Sequence, residues 1–198
     1  MSRGVRQLFD RKSKLSFTLI SEPSPYVLLD SPFSDDEYKK VLAAAEVFPT
    51  GDFTLTCEHD LFSMLQDKAW EIFENVYPTL DRATDGKFKE MYEKDGRDSF
   101  FKVMIKRLPP GFKRNRIHRD AEWKQLVVVI YLSDEGEGTK IYASEHVDSL
   151  VTTLPFKVNT GYATIPNETN WHDFDHSEQF NKDRITVMFM MADKRYYK

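Results

Sequence analysis

A single cysteine, Cys57, occurs in the 198-residue chain, so no disulfide can form within it and the usage fits a reducing, cytoplasmic setting. Long apolar runs are missing too. The longest, Leu126 to Leu132, is far short of the roughly 20 residues that a membrane-spanning helix needs, so no membrane association is expected. There is no large excess of charge of either sign. The formal net charge of -4 gives no general attraction to nucleic acid or to anionic lipid, and a nucleic-acid partner is not expected. The first residues lack the apolar stretch of a secretory signal, although Arg3, Arg6, Arg11, Lys12 and Lys14 make them basic. No internal repeat or low-complexity tract is present. What remains is a chain of one-domain length, with 40% hydrophobic and 14% aromatic residues to build a core.

Helical patterns come first and strand patterns follow. Ser34, with Glu37 three residues on, forms a capping-box signature ahead of an apolar face of Tyr38, Val41, Leu42 and Ala45, and Pro49 and Gly51 end that helix. A second helix is expected from Asp60 to Tyr77, where Phe62, Leu65, Ala69, Ile72, Phe73 and Val76 recur at helical spacing. The polar stretch from Asp81 to Asp98 reads as a surface connection with a helical turn around Phe88 to Tyr92. Strands are expected at 100–108, 116–120, 124–132, 139–144, 150–154, 161–166, 171–173 and 184–191. Two of them, 126–132 and 187–191, are apolar on both faces, as where a strand is covered on each side. The count suits a jelly roll braced by N-terminal helices, a mainly β fold of the α+β type. The expected organisation is one domain: an arm over 1–24, a helical support region over 25–98 and a jelly-roll core over 99–198.

The chemistry concentrates in three places. His118 and Asp120 are two apart, so on an extended segment both side chains point the same way and can reach one ion. Two imidazoles and a carboxylate on one face of an Fe(II) ion leave three positions open, the arrangement of non-heme oxygenases. A third ligand must come from far along the chain, where Trp171-His172-Asp173-Phe174-Asp175-His176 offers two histidines. His176 sits nearer a turn and is expected to be solvated. His59 and His146 have no neighbours at ligand spacing and read as surface residues. Arg184 and Thr186 share one side of the last strand.

From about Ser99 to Lys194 the chain resembles the Fe(II)/2-oxoglutarate-dependent oxygenases, whose core is a double-stranded β-helix. The likeness runs through Leu108-Pro109-Pro110-Gly111, His118-Arg119-Asp120, Ile130-Tyr131-Leu132, Gly136-Glu137-Gly138-Thr139, Gly161, Trp171-His172 and Arg184-Ile185-Thr186. Tyr26 to Pro49 also resembles the lead-in strand and helix of prolyl-hydroxylase-like members. The resemblance implies that His118, Asp120 and His172 hold Fe(II), with His172 preferred because it follows a tryptophan. It further implies that Arg184 pairs with the distal carboxylate of 2-oxoglutarate, helped by Thr186 and, less directly, by Tyr131 or Lys106. The implied activity is hydroxylation of an unactivated C–H bond using O2, with release of succinate and CO2 and with ascorbate as a supporting reductant. Hydroxylation of a protein side chain such as proline, or a jelly-roll module that only binds metal, are the alternatives. A small polar or amino-acid-derived substrate is favoured over a protein, because no appended recognition domain is evident. Arg116, in the basic run Lys113 to Arg116, and Trp123 are the candidate substrate contacts.

Overall fold

A computed structural model describes residues 15–86, 99–113, 116–121 and 123–193. The basic residues Arg3 to Lys14 and the turn expected around Phe88 to Tyr92 lie outside them. The end of the segment read as an arm is instead a strand, β1 (Ser16–Ile20), paired antiparallel with β2 (Tyr26–Asp30). Leu15 and Phe17 pack against the main core, which gives this segment an apolar anchor that its short pattern does not advertise.

Helix α1 (Asp35–Val47) begins as the capping box requires. The Ser34 amide donates to Glu37 Oε2 at 2.8 Å and the Glu37 amide donates to Ser34 Oγ at 3.4 Å, satisfying two otherwise orphaned donors. The chain then enters a short strand, β3 (Gly51–Thr54), which is not among the expected strands. Helix α2 (Phe62–Ala83) continues through Pro78 rather than stopping at Tyr77. A proline inside a helix costs about 3 kcal/mol. Against that, Leu80 beyond it is fully buried, worth about 2 kcal/mol, and Thr84 bonds back to the Leu80 carbonyl through both its amide and its hydroxyl. Lys68 ties the two helices together, reaching Glu37 at 3.2 Å and Glu71 at 2.8 Å.

The remaining strands are β4 (Ser99–Leu108), β5 (Lys124–Tyr131), β6 (Lys140–Tyr142), β7 (Leu150–Thr153), β8 (Thr160–Thr164), β9 (Trp171–Asp173) and β10 (Arg184–Asp193). A seven-stranded antiparallel sheet runs β1-β2-β8-β5-β10-β4-β3, and a three-stranded one runs β7-β6-β9. Together they make the expected jelly roll. The strand expected at 116–120 is reduced to one bridge between His118 and His172, with a second bridge between Lys113 and Asp175. The chain leaves this ladder at Asp120, whose carboxylate turns to meet Lys124.

Strand alternation decides what each residue faces. On β10, Ile185, Val187, Phe189 and Met191 join the core under the helices. Arg184, Thr186 and Met188 point the other way, into the barrel. On β5, Val128 and Ile130 face the helices while Val127 and Val129 line the barrel interior. The two-faced apolar character expected of these strands therefore has two destinations. Gly161 lies opposite Ile130, and a Cβ there would sit 2.0 Å from the Val129 carbonyl oxygen, so only glycine lets β8 close on β5.

Candidate metal centre and its two pockets

His118 and His172 are held opposite each other by reciprocal backbone hydrogen bonds, 3.0 Å from the His118 amide to the His172 carbonyl and 2.9 Å in return. That pairing brings their rings to 4.4 Å between centroids. Asp120 closes the group: one ligating atom from each of the three residues lies within 4.8 Å of the others. His172 Nε2 is 3.7 Å from Asp120 Oδ2. Each imidazole turns its Nδ1 to a backbone carbonyl, that of Arg116 at 3.3 Å and that of Asn170 at 3.1 Å. A carbonyl only accepts, so Nδ1 carries the proton and the Nε2 lone pair is left for a metal.

The carboxylate is prepared as well. Burial alone raises the Asp120 pKa, but His172 and His118 in their protonated forms, together with the Lys124 charge and hydrogen bond, outweigh it and hold the carboxyl below its ordinary range. Lys124 Nζ forms an ion pair with Oδ1, which leaves Oδ2 facing His172. Two imidazoles and an anionic oxygen converging from two edges of the barrel are a donor set suited to a divalent transition metal.

Behind the three residues lies an inner pocket of about 90 Å³. Val127, Val129, Phe174 and Met188 supply apolar walls, and Thr139, Tyr162, Thr186 and Arg184 supply polar groups. Arg184 is only 2% exposed, yet among the described residues it has no carboxylate partner. Its Nε donates to the Glu137 carbonyl at 3.0 Å, and its guanidinium lies 5.4 Å from the Tyr131 ring, 5.5 Å from Phe156 and 4.9 Å from Phe174. Burial pushes the Arg184 pKa down, although a guanidinium stays charged at any ordinary pH. A buried, ring-clamped cation facing a pocket is matched by an anion of the pocket's size. Burial also pushes the Tyr162 hydroxyl up, so it stays protonated and can donate.

On the other side of the centre an outer cleft of about 570 Å³ opens, lined by Arg116, Arg119, Glu145, His146, Asn167 and Trp171. His118 and Asp120 border both cavities, so a metal between them would be reached from each.

The structure brings together His118, Asp120 and His172, and places Arg184 and Thr186 on the wall of the adjoining inner pocket. Tyr131 sits behind Arg184 instead, its hydroxyl 3.1 Å from Thr139 Oγ1 and 3.0 Å from the Thr139 amide. Arg116 lines the outer cleft; Trp123 lines neither cavity, and Lys124 Nζ lies 5.9 Å from its ring. The tryptophan that borders the cleft is Trp171. His176 is fully buried rather than solvated, with Nε2 2.7 Å from the Lys182 carbonyl and its ring stacked on Phe180. The loop that follows, through Phe180 and Lys182, folds back over it, and no residue pattern in that loop signals the turn. His146, read as a bare surface residue, borders the cleft. Sequence reasoning also missed Lys124, Thr139, Phe174 and Tyr162. Lys124 alone carried a local signal, its position four residues after Asp120.

No family model matches the sequence, and no curated protein does. Solved structures do match its fold. The collagen prolyl hydroxylase of Paramecium bursaria Chlorella virus-1 is 15% identical, with a TM-score of 0.52 over 85% of this chain and 90% of that one. A prolyl-4-hydroxylase of Pseudomonas putida is 11% identical, with a TM-score of 0.53 over 85% and 92%. HygX of Streptomyces hygroscopicus, solved with nickel and 2-oxoglutarate bound, is 10% identical, with a TM-score of 0.53 over 85% and 81%. The chain thus has the jelly-roll fold of the 2-oxoglutarate-Fe(II) oxygenases, and within it His118, Asp120 and His172 converge.

Proposed function

We propose that this protein is an Fe(II)/2-oxoglutarate-dependent oxygenase that hydroxylates an unactivated C–H bond of a small polar or amino-acid-derived substrate, releasing succinate and CO2. The observation that carries this reading is the pairing of the His118–Asp120–His172 group with a pocket whose wall holds a buried arginine with no carboxylate at ion-pair distance among the described residues. His118, Asp120 and His172 are the residues that hold iron, and Arg184 with Thr186 takes the distal carboxylate of 2-oxoglutarate. The bound iron and cosubstrate supply the activation of O2. The chain's own work is to keep both Nε2 lone pairs aimed inward, to hold Asp120 anionic, and to shield the inner pocket from water with Val127, Val129, Phe174 and Met188. Tyr131 stacks behind the arginine and fixes its plane.

Anaerobic addition of Fe(II) and 2-oxoglutarate to metal-free protein tests this. A weak visible charge-transfer band in the wild type that is lost in His172→Ala is the expected result. Iron binding without a band in the wild type overturns the reading and points to a metal-binding module. The likeness to two prolyl hydroxylases supports a second reading, hydroxylation of a proline side chain in a protein. Succinate release stimulated by a proline-rich peptide, and not by free amino acids, is the result that favours it.

A further inference from the structure

The outer cleft carries charges that the metal centre does not explain. Arg116 and Arg119, on either side of His118 in sequence, line the cleft, and so does Glu145, which follows β6. Among the described residues none of the three has an ion-pair partner, whereas Lys106, Arg107, Lys124, Lys140 and Lys182 all do. Arg119 is not a loose surface side chain. Its guanidinium lies 4.7 Å from the Trp171 ring and donates to the Glu168 carbonyl at 3.2 Å, which fixes its plane at the rim of the cleft. The Arg116 carbonyl is held at His118 Nδ1, so its side chain starts beside the metal ligand.

From this we infer that the cleft binds a zwitterionic substrate, an α-amino acid or a close derivative, with its carboxylate at Arg116 and Arg119 and its ammonium at Glu145. The inference rests on the oxygenase reading and narrows it. Charges of opposite sign that line one cleft, with no ion-pair partner among the described residues, are complementary to a molecule carrying both signs, and a planar guanidinium suits a carboxylate. A neutral substrate gains nothing from either charge. A peptide segment presents neither terminal charge to them.

The test uses iron-loaded protein with 2-oxoglutarate and O2, and reads succinate formed above the substrate-free rate. The probes are the common L-amino acids and, for each that stimulates, its α-carboxamide and its N-acetyl form. Stimulation by one or more free amino acids, with both capped forms at least tenfold poorer in kcat/KM, is the expected outcome. Arg116→Gln is expected to raise KM for the free acid about tenfold, the worth of a charge-assisted hydrogen bond at a solvated rim, and not to affect the carboxamide. Arg116→Glu is expected to reverse the preference between acid and carboxamide. Glu145→Gln should penalise the free amine against its N-acetyl form in the same way. Equal use of an acid and its carboxamide overturns the inference, as does turnover of a proline-containing peptide but of no free amino acid. The Fe(II)·2-oxoglutarate band separates the two levels of failure. A band without amino-acid turnover defeats the zwitterion alone; no band defeats the oxygenase reading beneath it.

Discussion

Replacing Arg184 by methionine sets binding and stability against each other. In the ligand-free protein the guanidinium is buried among Tyr131, Phe156 and Phe174, with the Glu137 carbonyl as its hydrogen-bond acceptor and no carboxylate at ion-pair distance among the described residues. Desolvating a charge is costly, and methionine is long and adaptable enough to fill the same space against three rings. The variant should therefore melt at the same temperature as the wild type or higher when no ligand is present. Binding behaves oppositely. Removing one partner of a buried, bidentate carboxylate pair costs about 3 kcal/mol, more than a hundredfold in Kd. The assay is an anaerobic titration of iron-loaded protein with 2-oxoglutarate, followed by its visible band, alongside melting curves with and without the cosubstrate. Wild type should gain about 2.7 kcal/mol of stability at a hundred times its Kd, and Arg184→Met almost none at the same concentration. A Kd that moves less than threefold, with the band intact, would falsify the role given to Arg184.

Three further outcomes follow from other parts of the molecule. Lys124→Met removes the ion pair that holds Asp120 Oδ1, so iron should bind about tenfold more weakly at neutral pH while the fold persists; unchanged iron affinity by competition with a chromogenic chelator would refute that positioning role. Glu37 has its pKa lowered because the Ser34 hydrogen bonds and Lys68 outweigh the upward push of burial, so its stabilisation is present above its unfolded pKa and lost as pH falls through the folded value. Glu37→Gln should accordingly cost about 1 kcal/mol at pH 7 and nothing near pH 2, read by urea unfolding at each pH; an equal cost at both would show that charge is not involved. Gly161→Ala forces a methyl into the Val129 carbonyl and should destabilise by about 3 kcal/mol, and a wild-type melting temperature would show that β5 and β8 can separate freely.

The pieces of the candidate site are legible in the sequence because each is a local pattern. His118 and Asp120 sit two apart, Trp171-His172 is adjacent, and Arg184 and Thr186 share a strand face, so side-chain direction followed from backbone period alone. The capping box of α1 was readable for the same reason. What could not be read depends on which strand lies beside which. Tyr162 reaches the inner pocket because β8 pairs with β5, Phe174 precedes the bridge that joins Asp175 to Lys113, and Thr139 is tied to the Tyr131 hydroxyl, and no local pattern marks them. Helix α2 passes Pro78 because Leu80 finds the sheet, a tertiary gain that overrides a local penalty. His176 looked solvated for want of a partner in sequence; its partner is the Lys182 backbone, supplied by a fold-back.

Strand β10 places Ile185, Val187 and Phe189 beneath the helices and Arg184, Thr186 and Met188 toward the cavity. One ribbon is thus half scaffold and half reagent. Drift at the even positions can retune what the cavity accepts while the odd positions go on holding the helices in place, so a new preference can be acquired without first dismantling the architecture. The same arrangement makes deletions far more dangerous than substitutions: loss of one residue within the strand would exchange the two rows at a stroke, driving a guanidinium into the oil and leaving the cavity lined with isoleucine, valine and phenylalanine.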